Sequence, residues 1–387
     1  MRASFIIFIL VCFGHHDIKA QDEICPDGDR FFILQNYFSA LEAYMACYYM
    51  DSSYKKPLLS AANCLFLLGD YQKAKTYYHL LETDTLYNTD AKIKLASIYE
   101  SQQNLPKAIR YNIALSKIFP GNPSYLRKLG SLFQQGNEPT QALQSYQAAM
   151  RLNDRDLLAV QGLSEMMLSL EQPFVADSLI TQAMTVDSNH IGLSLLHGRV
   201  KYKLKDYVSC ARILHKLTYQ TELNNYYNKM LGYAFMQIDS LDKSIYHLQK
   251  SLLNEGDPEY AFFYLGFAHE KKKEYDKSKY FYSEAIKAGI SENLNQYHVG
   301  LARINTTTGL YKEAVENYQA SLKYHNDPTL YFYMASASEQ YLKDKSKSIE
   351  YYQKFLSANT SDISMKETAR NRVKLLKEQR FMKGIVK

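Results

Sequence analysis

The chain has 387 residues, with 46 Lys and Arg against 40 Asp and Glu, and a formal net charge of +6. Its residues are 46% apolar and 22% charged, with only 16 Gly and 9 Pro, which excludes a disordered or collagen-like chain. The aromatic residues are 34 Tyr and 18 Phe, with no Trp. This composition favours a repeated, tyrosine-rich helical unit over a mixed enzyme fold.

Residues 1–20 have the pattern of a secretory signal peptide. Arg2 gives a short basic segment, residues 3–13 form an apolar segment, and the small residue Ala20 precedes Gln21 at a cleavage site. The apolar segment is about half of the roughly 20 residues that span a bilayer, and no later segment is apolar for long enough. We therefore expect a cleaved leader and an exported chain, periplasmic or secreted and associated with the cell envelope, without a transmembrane span.

Four cysteines follow the predicted leader: Cys25, Cys47, Cys64 and Cys210. An even number in an exported chain permits disulfides, although four are too few for a fold that depends on them. One bridge is expected, from Cys25 to Cys47 or to Cys64. Cys210 is instead expected to be a small buried thiol, because of its place in the pattern described next.

A small residue followed four positions later by a larger side chain recurs along the chain. The small residues are Ala40, Ala74, Ala108, Ala142, Ala176, Cys210, Ser244, Ser278, Ala314 and Ser348, spaced by 34 residues with a single spacing of 36. Another small residue, often a glycine after leucine, precedes most of them by twelve positions, as in Leu231-Gly232 and Leu265-Gly266. Chance does not produce such a register, which indicates internal repeats.

This period and its residue types resemble the tetratricopeptide repeat family. The resemblance implies an all-α fold, a right-handed α-solenoid of stacked helix-turn-helix repeats, with nine repeats over residues 55–358. Within each repeat, the small residues of the two helices are expected to face one another, as Gly266 and Ser278 would, so that the backbones approach closely. Residues 21–54 are expected to hold an N-terminal extension and a lone capping helix from Arg30 to about Met50. Residues 359–387 are expected to form a basic capping helix.

The motifs of catalysis and metal binding are missing from the sequence. There is no HExxH, CxxC, GxGxxG, phosphate-binding loop or GxSxG pattern, and His269-Glu270 lacks a second histidine. The repeats occupy about 304 of the 367 residues after the leader, which leaves no room for a separate catalytic domain. The sequence therefore predicts a protein without enzymatic activity, cofactor or bound metal.

The resemblance implies that the first helix of each repeat lines a groove in which partner segments lie. In the second half of the chain, the residues expected to face this groove mix aromatic and basic side chains: Arg199, Tyr202, Tyr226, Lys229, Tyr233, Tyr260, Phe263, Phe267 and Arg303. Such a mixture suits an extended segment with acidic and apolar side chains, through ion pairs and cation–π contacts. We therefore expect a scaffold for protein or peptide partners rather than for nucleic acid. The alternative is a carbohydrate-binding envelope module that uses the same aromatic rings.

The C-terminal helix is a second candidate surface. Its basic residues are Lys366, Arg370, Arg372, Lys374, Lys377, Arg380, Lys383 and Lys387, against Glu367 and Glu378. Such a face can contact anionic lipid or an acidic partner at the envelope, or it can simply be solvated. The sequence does not decide between this helix and the groove.

Overall fold

The chain folds into helices throughout the part that the structure describes. The computed structural model describes residues 25–253, 258–289, 293–358 and 361–385, with side chains as far as residue 382. Regular secondary structure in these ranges is entirely α-helical, and none of the helices there is long and apolar enough to cross a membrane. The predicted signal peptide, residues 1–20, lies outside the described residues.

The helices fall into two compact units, Met1–Met166 and Met167–Lys387. The N-terminal unit contains α1 Pro26–Ile33, α2 Tyr37–Met50, α3 Lys56–Leu67, α4 Tyr71–Leu81, α5 Asn88–Ser101, α6 Leu105–Ile118, α7 Pro123–Gln135, α8 Pro139–Leu152 and most of α9 Leu157–Ser169. The C-terminal unit continues with α10 Pro173–Ala183, α11 Ile191–Lys203, α12 Tyr207–Leu217, α13 Asn225–Gln237, α14 Leu241–Lys250, α15 Glu259–Lys271, α16 Tyr275–Ala288, α17 Leu294–Thr307, α18 Tyr311–Leu322, α19 Thr329–Tyr341, α20 Ser346–Ser357 and α21 Ile363–Ile385. From α3 to α20, each repeat pairs an odd-numbered first helix with an even-numbered second helix.

Within each unit, consecutive helices pack against one another as the repeats predict. The all-α solenoid of helical repeats is therefore confirmed, and with it the resemblance to tetratricopeptide repeats at the level of the fold. The right-handed sense of the solenoid stays a prediction.

The turn between the two helices of a repeat is built the same way many times. Its last residue is the N-cap of the second helix, and in some repeats its side chain accepts a hydrogen bond there: the Asp70 carboxylate from the Lys73 N–H at 3.1 Å, and the Asn104 amide oxygen from the Lys107 N–H at 3.3 Å. The Asn104 N–H itself donates to the Tyr99 carbonyl at 2.9 Å, which closes the end of the first helix. The 34-residue period of the sequence is thus also a period of helix ends.

In the helix pairs from α1–α2 to α17–α18, the residue just before the N-cap of the second helix has a left-handed backbone. Two are glycines, Gly69 and Gly309, both with φ of 79°. The others carry side chains, with φ of 53° to 60°: Gln35, Gln103, Asn137, Glu171, Lys205, Asp239 and Lys273. A side chain in this conformation costs on the order of 1 kcal/mol, because Cβ crowds the following carbonyl oxygen.

Glycine at these turns should stabilise the protein. We expect Lys205→Gly and Lys273→Gly each to raise the free energy of unfolding by about 0.5 kcal/mol, because the relieved strain exceeds the entropy gained by the unfolded chain. Lys279→Gly, inside α16, is the control and should lower it by about 1 kcal/mol. Urea unfolding followed by circular dichroism measures both effects. A lower urea midpoint for Lys205→Gly would contradict this explanation of the turn.

In the repeat of α15 and α16, the two helices pack around the ring of a tyrosine. Ser278 Oγ does donate a hydrogen bond to the Gly266 carbonyl at 2.8 Å, so the two predicted small residues meet. A Cβ on Gly266, however, would lie 2.8 Å from the ring of Tyr282, and one on Gly300 in the next repeat would lie 2.7 Å from the same ring. The fully buried Tyr282 is therefore wedged between two glycines. The glycines make room for this ring.

The N-terminal segment differs from its prediction. Instead of one helix from Arg30 to about Met50, it forms the pair α1 and α2, separated at residues 34–36. A Cβ on Gly28 would lie 2.6 Å from the Tyr44 ring, much as one on Gly130 would lie 2.7 Å from the Tyr146 ring. Cys25 and Cys47 are joined by a disulfide that ties the start of α1 to α2, while Cys64 and Cys210 are buried free thiols. This segment is thus a further helix pair with a short first helix.

Candidate functional site

Three successive first helices of the C-terminal unit, α11, α13 and α15, contact one another and form a cleft. The cleft has a volume of about 200 Å³. Its lining residues are Tyr202 from α11, Tyr226, Lys229, Met230 and Tyr233 from α13, and Tyr260 and Tyr264 from α15. We call it the tyrosine cleft. Five of its seven lining residues are tyrosines, so its walls are mainly aromatic rings that end in hydroxyls.

Tyr233 is the centre of the aromatic cluster. Its ring centroid lies 5.5 Å from that of Tyr202, 5.6 Å from that of Tyr207 and 4.7 Å from that of Tyr264, with the ring planes strongly inclined. Edge-to-face and tilted pairs at these distances are favourable and hold the rings in place. Tyr226, at the edge of the cleft, is 51% exposed. The cleft therefore combines packed inner walls with an exposed ring at its rim.

Burial raises the pKa of three phenols of the cleft, those of Tyr202, Tyr233 and Tyr264. Burial raises the pKa of Tyr264 to about 12, and the neighbouring Tyr233 and Tyr260 add to the shift. The hydroxyls of these three residues therefore keep their protons and can donate hydrogen bonds to a ligand.

The charge of the cleft comes from one lysine. Lys229 is the only basic residue among the seven that line the cleft, and its Nζ lies 5.7 Å from the centroid of the Tyr260 ring. The Tyr260 hydroxyl accepts a hydrogen bond from the Asn293 amide at 3.0 Å, which helps to hold the ring. An aromatic face attracts the ammonium group without neutralising it. A bound ligand therefore meets a positive charge beside apolar ring faces.

Five of the predicted groove residues lie in the tyrosine cleft: Tyr202, Tyr226, Lys229, Tyr233 and Tyr260. Phe263 is placed elsewhere. Its ring centroid is 4.9 Å from that of Tyr297 and 5.9 Å from that of Tyr282, and both tyrosines are fully buried. Phe263 thus packs between repeats. Its truncation would disturb the core, so it is unsuitable as a test of binding.

The other predicted residues also lie outside the lining of the cleft. Arg303 is held by Glu270, whose carboxylate accepts hydrogen bonds from Nε at 2.5 Å and from Nη2 at 2.7 Å and raises the pKa of the guanidinium. Phe267 is half-buried, with Lys271 Nζ 5.6 Å from its ring centroid. Arg199 lies on α11, three residues before Tyr202. The structure does not bring these three side chains into the cleft.

Two lining residues, Met230 and Tyr264, are absent from the set predicted from the sequence. They are 34 residues apart and hold the same position in successive repeats, one residue after Lys229 and Phe263. Tyr260 and Tyr264 are spaced i, i+4 on one helix, and their ring centroids lie 6.4 Å apart. This spacing alone indicates that Tyr264 lies beside the predicted Tyr260.

Larger cavities lie beside the second helices. One of about 480 Å³ includes His215, Tyr246 and His247 in its lining. Another, of about 520 Å³, includes Lys272 and Glu274. The charged groups of the second already pair with each other, since Lys272 Nζ lies 3.3 Å from a Glu274 oxygen. Among the described residues, no group of three or more His, Cys, Asp or Glu side chains could hold a metal ion.

Comparisons with known proteins give no assignment beyond the fold. No family model and no curated protein matches the chain. Among solved structures it is similar to YrrB, a TPR protein with an unusual peptide-binding site, at 14% identity and a TM-score of 0.44, over 49% of this chain and 96% of that one. It is also similar to a tetratricopeptide repeat protein from Parabacteroides merdae, at 13% identity and a TM-score of 0.39, over 73% of this chain and 98% of that one. For the yeast protein Tom70 the identity is 15% and the TM-score is 0.38, over 92% of this chain and 95% of that one. At these low values, none of the likenesses supports an argument about function.

Proposed function

We propose that this chain is a non-catalytic scaffold for protein–protein interaction that holds an extended segment of a partner protein in the tyrosine cleft. The observation that supports this most directly is the lining of the cleft, in which tyrosines from three successive first helices surround one lysine. Neighbouring packed helices lie about 8 to 10 Å apart, so three of them span roughly 20 Å. An extended segment of about six residues covers that distance.

The chemistry of the cleft indicates which segment fits. Ring faces and Met230 favour an apolar or aromatic side chain at the centre, where contacts exclude water. Lys229 favours a carboxylate nearby, and the tyrosine hydroxyls can donate to backbone carbonyls of an extended chain. The partner segment is therefore an extended stretch with an apolar anchor and an acidic residue close to it.

We also propose that the protein works outside the cytoplasm, at the cell envelope or in a secreted form. Two observations support this location. Residues 1–20 have the pattern of a secretory signal. Cys25 and Cys47 form a disulfide, and such bonds persist mainly in oxidising compartments.

The test combines a rim residue with the lysine. Tyr226→Ala with Lys229→Gln should weaken binding of the partner segment by about 2 kcal/mol or more, roughly thirtyfold. The fold should persist, because Tyr226 is half exposed and Lys229 makes its cation–π contact with the Tyr260 ring at the surface of the cleft. The partner is first captured by crosslinking in native envelope material. Its bound segment, made as a peptide, is then titrated calorimetrically against both proteins.

The matched control is Tyr49→Ala with Lys117→Gln in the N-terminal unit, which also removes one exposed ring and one exposed cation. This control should bind the peptide as the unmodified protein does. An equal loss of peptide affinity in the control and the cleft variant would contradict the proposed site.

If a soluble glycan from a panel binds instead, and the cleft variant loses that binding, the carbohydrate-binding alternative is the correct one.

A further inference from the structure

The net charge of the protein is concentrated at its C-terminal end. Residues 366–387 contain eight Lys and Arg against two Glu, a net charge of +6, which equals the formal net charge of the entire chain. The preceding 365 residues therefore sum to zero. A charge so localised makes a positive potential at one end of the molecule rather than a general attraction for anions.

The helix that carries this charge extends beyond its support. Helix α21 has 23 residues, about 34 Å at a rise of roughly 1.5 Å per residue, whereas its neighbour α20 has 12. The first half of α21 is anchored, since Ala369 and Leu376 are buried and Met365 and Val373 pack against the same core. After Leu376, every residue up to 382 is exposed. The last turns of α21 therefore leave the solenoid.

This projecting part exposes apolar side chains among its cations. Phe381 and Met382 are 69% and 64% exposed, and Leu375 at its base is 40% exposed. Lys374, Lys377 and Arg380 are exposed on the same turns, and Glu378 is the only acidic residue between them. Arg372, by contrast, is already paired with Glu339. Phe381 and Met382 can enter a membrane interface while the neighbouring lysine and arginine side chains reach the headgroups.

We propose that the exposed side chains near the C-terminal end of α21, from Lys374 to Met382, bind the surface of an anionic lipid membrane. The cations lie against the lipid headgroups, and Phe381, Met382 and Leu375 enter the boundary between headgroups and acyl chains. The solenoid is thereby attached at one end, while the tyrosine cleft, on α11, α13 and α15, stays open to its partner. This inference does not depend on the proposed function of the cleft.

Charge and exposure together favour lipid over an acidic protein. An acidic polypeptide would be attracted by the lysines and Arg380 but gives no reason for two neighbouring large apolar side chains, Phe381 and Met382, to be exposed. A membrane interface accounts for both, because each buried apolar side chain adds to the electrostatic attraction.

The test is co-sedimentation of the purified protein with vesicles of phosphatidylglycerol and phosphatidylcholine in equal parts, and with vesicles of phosphatidylcholine alone. We expect binding to the anionic vesicles and little to the neutral ones. The triple variant Lys374→Gln, Lys377→Gln, Arg380→Gln should lower the partition coefficient about a hundredfold, at roughly fivefold for each cation. The double variant Phe381→Ser, Met382→Ser should lower it about tenfold at unchanged charge.

The control neutralises three exposed lysines elsewhere, Lys117→Gln, Lys205→Gln and Lys323→Gln, and should bind the anionic vesicles almost as the unmodified protein does. Circular dichroism checks that all variants keep their helices. Failure to sediment with anionic vesicles, or equal losses in the control and the α21 variants, would overturn the proposal. So would retention on immobilised polyglutamate without vesicle binding, which would assign the surface to an acidic polypeptide.

Discussion

Replacing Gly266 with leucine should lower the free energy of unfolding by about 3 kcal/mol or more, at the upper end of what overpacking costs. Even the first added carbon would lie 2.8 Å from the Tyr282 ring. That ring cannot retreat, because it lies against Gly300 on its other side and its hydroxyl donates to Glu270 at 2.7 Å. The leucine must therefore push α15 and α16 apart. Urea unfolding followed by circular dichroism gives the size of the loss.

Gly136→Ala is the contrasting case. Gly136 has an ordinary φ of −77°, and the nearest atom to an added Cβ would be the Leu132 carbonyl oxygen at 3.4 Å. The left-handed residue of this turn is Asn137. Because alanine restricts the unfolded chain without strain here, we expect Gly136→Ala to raise the free energy of unfolding by about 0.5 kcal/mol.

A Gly266→Leu protein as stable as the unmodified one would contradict the packing of the Tyr282 ring between two glycines.

Mild acid should destabilise the C-terminal unit through buried histidines. Burial lowers the pKa of His247 to about 4, helped by the nearby His215, Lys250 and Lys243. Unfolded, the imidazole takes up a proton near pH 6.5, so between about pH 6.5 and 4 the unfolded state binds more protons than the folded one. Stability is therefore lost as the pH falls through that window. For His247 we expect a loss of about 2 kcal/mol once screening by water is allowed for.

His247→Gln tests this assignment. The neutral side chain can still donate to Asn228, whose Oδ1 lies 3.0 Å from the His247 ring nitrogen, but it does not titrate. The difference between urea midpoints at about pH 7 and about pH 4.5 should be smaller in this variant than in the unmodified protein. Burial also lowers the pKa of His197, His215 and His269, so part of the acid sensitivity should remain. An unchanged difference would show that His247 is not responsible.

The repeated fold was predictable because its signal is periodic. Small residues every 34 positions mark where two helices cross, and the helices lie where that register puts them. The same signal extends one helix pair further towards the N-terminus than predicted. Gly28 precedes Ala40 by twelve residues, as Gly232 precedes Ser244, although Pro26 and Gly28 themselves suggest a break in the helix. Proline is well tolerated at the first helical position, and α1 begins at Pro26.

The cleft was less predictable because its residues are selected by contacts between repeats. Lys229 and Phe263 hold the same position in neighbouring repeats, yet Lys229 lines the cleft and Phe263 packs against Tyr297. Arg303 is expected in the groove from its position alone, whereas Glu270, one repeat earlier, holds it. Whether a residue lines the cleft or packs between repeats depends on which side chain of the adjacent repeat fills the available space. A periodic pattern does not carry that information.

The most direct measurement of partner binding in the tyrosine cleft is site-specific photocrosslinking. The photoreactive residue p-benzoylphenylalanine replaces Tyr226 at the rim of the cleft, and in separate proteins it replaces Tyr280, which is exposed on the second helix α16, or Tyr49 in the N-terminal unit. Crosslinks to one extended partner segment from position 226, and few from positions 280 and 49, are the expected result. Equal or stronger crosslinking of the same segment from position 280 would contradict binding in the cleft and place the partner on the second helices.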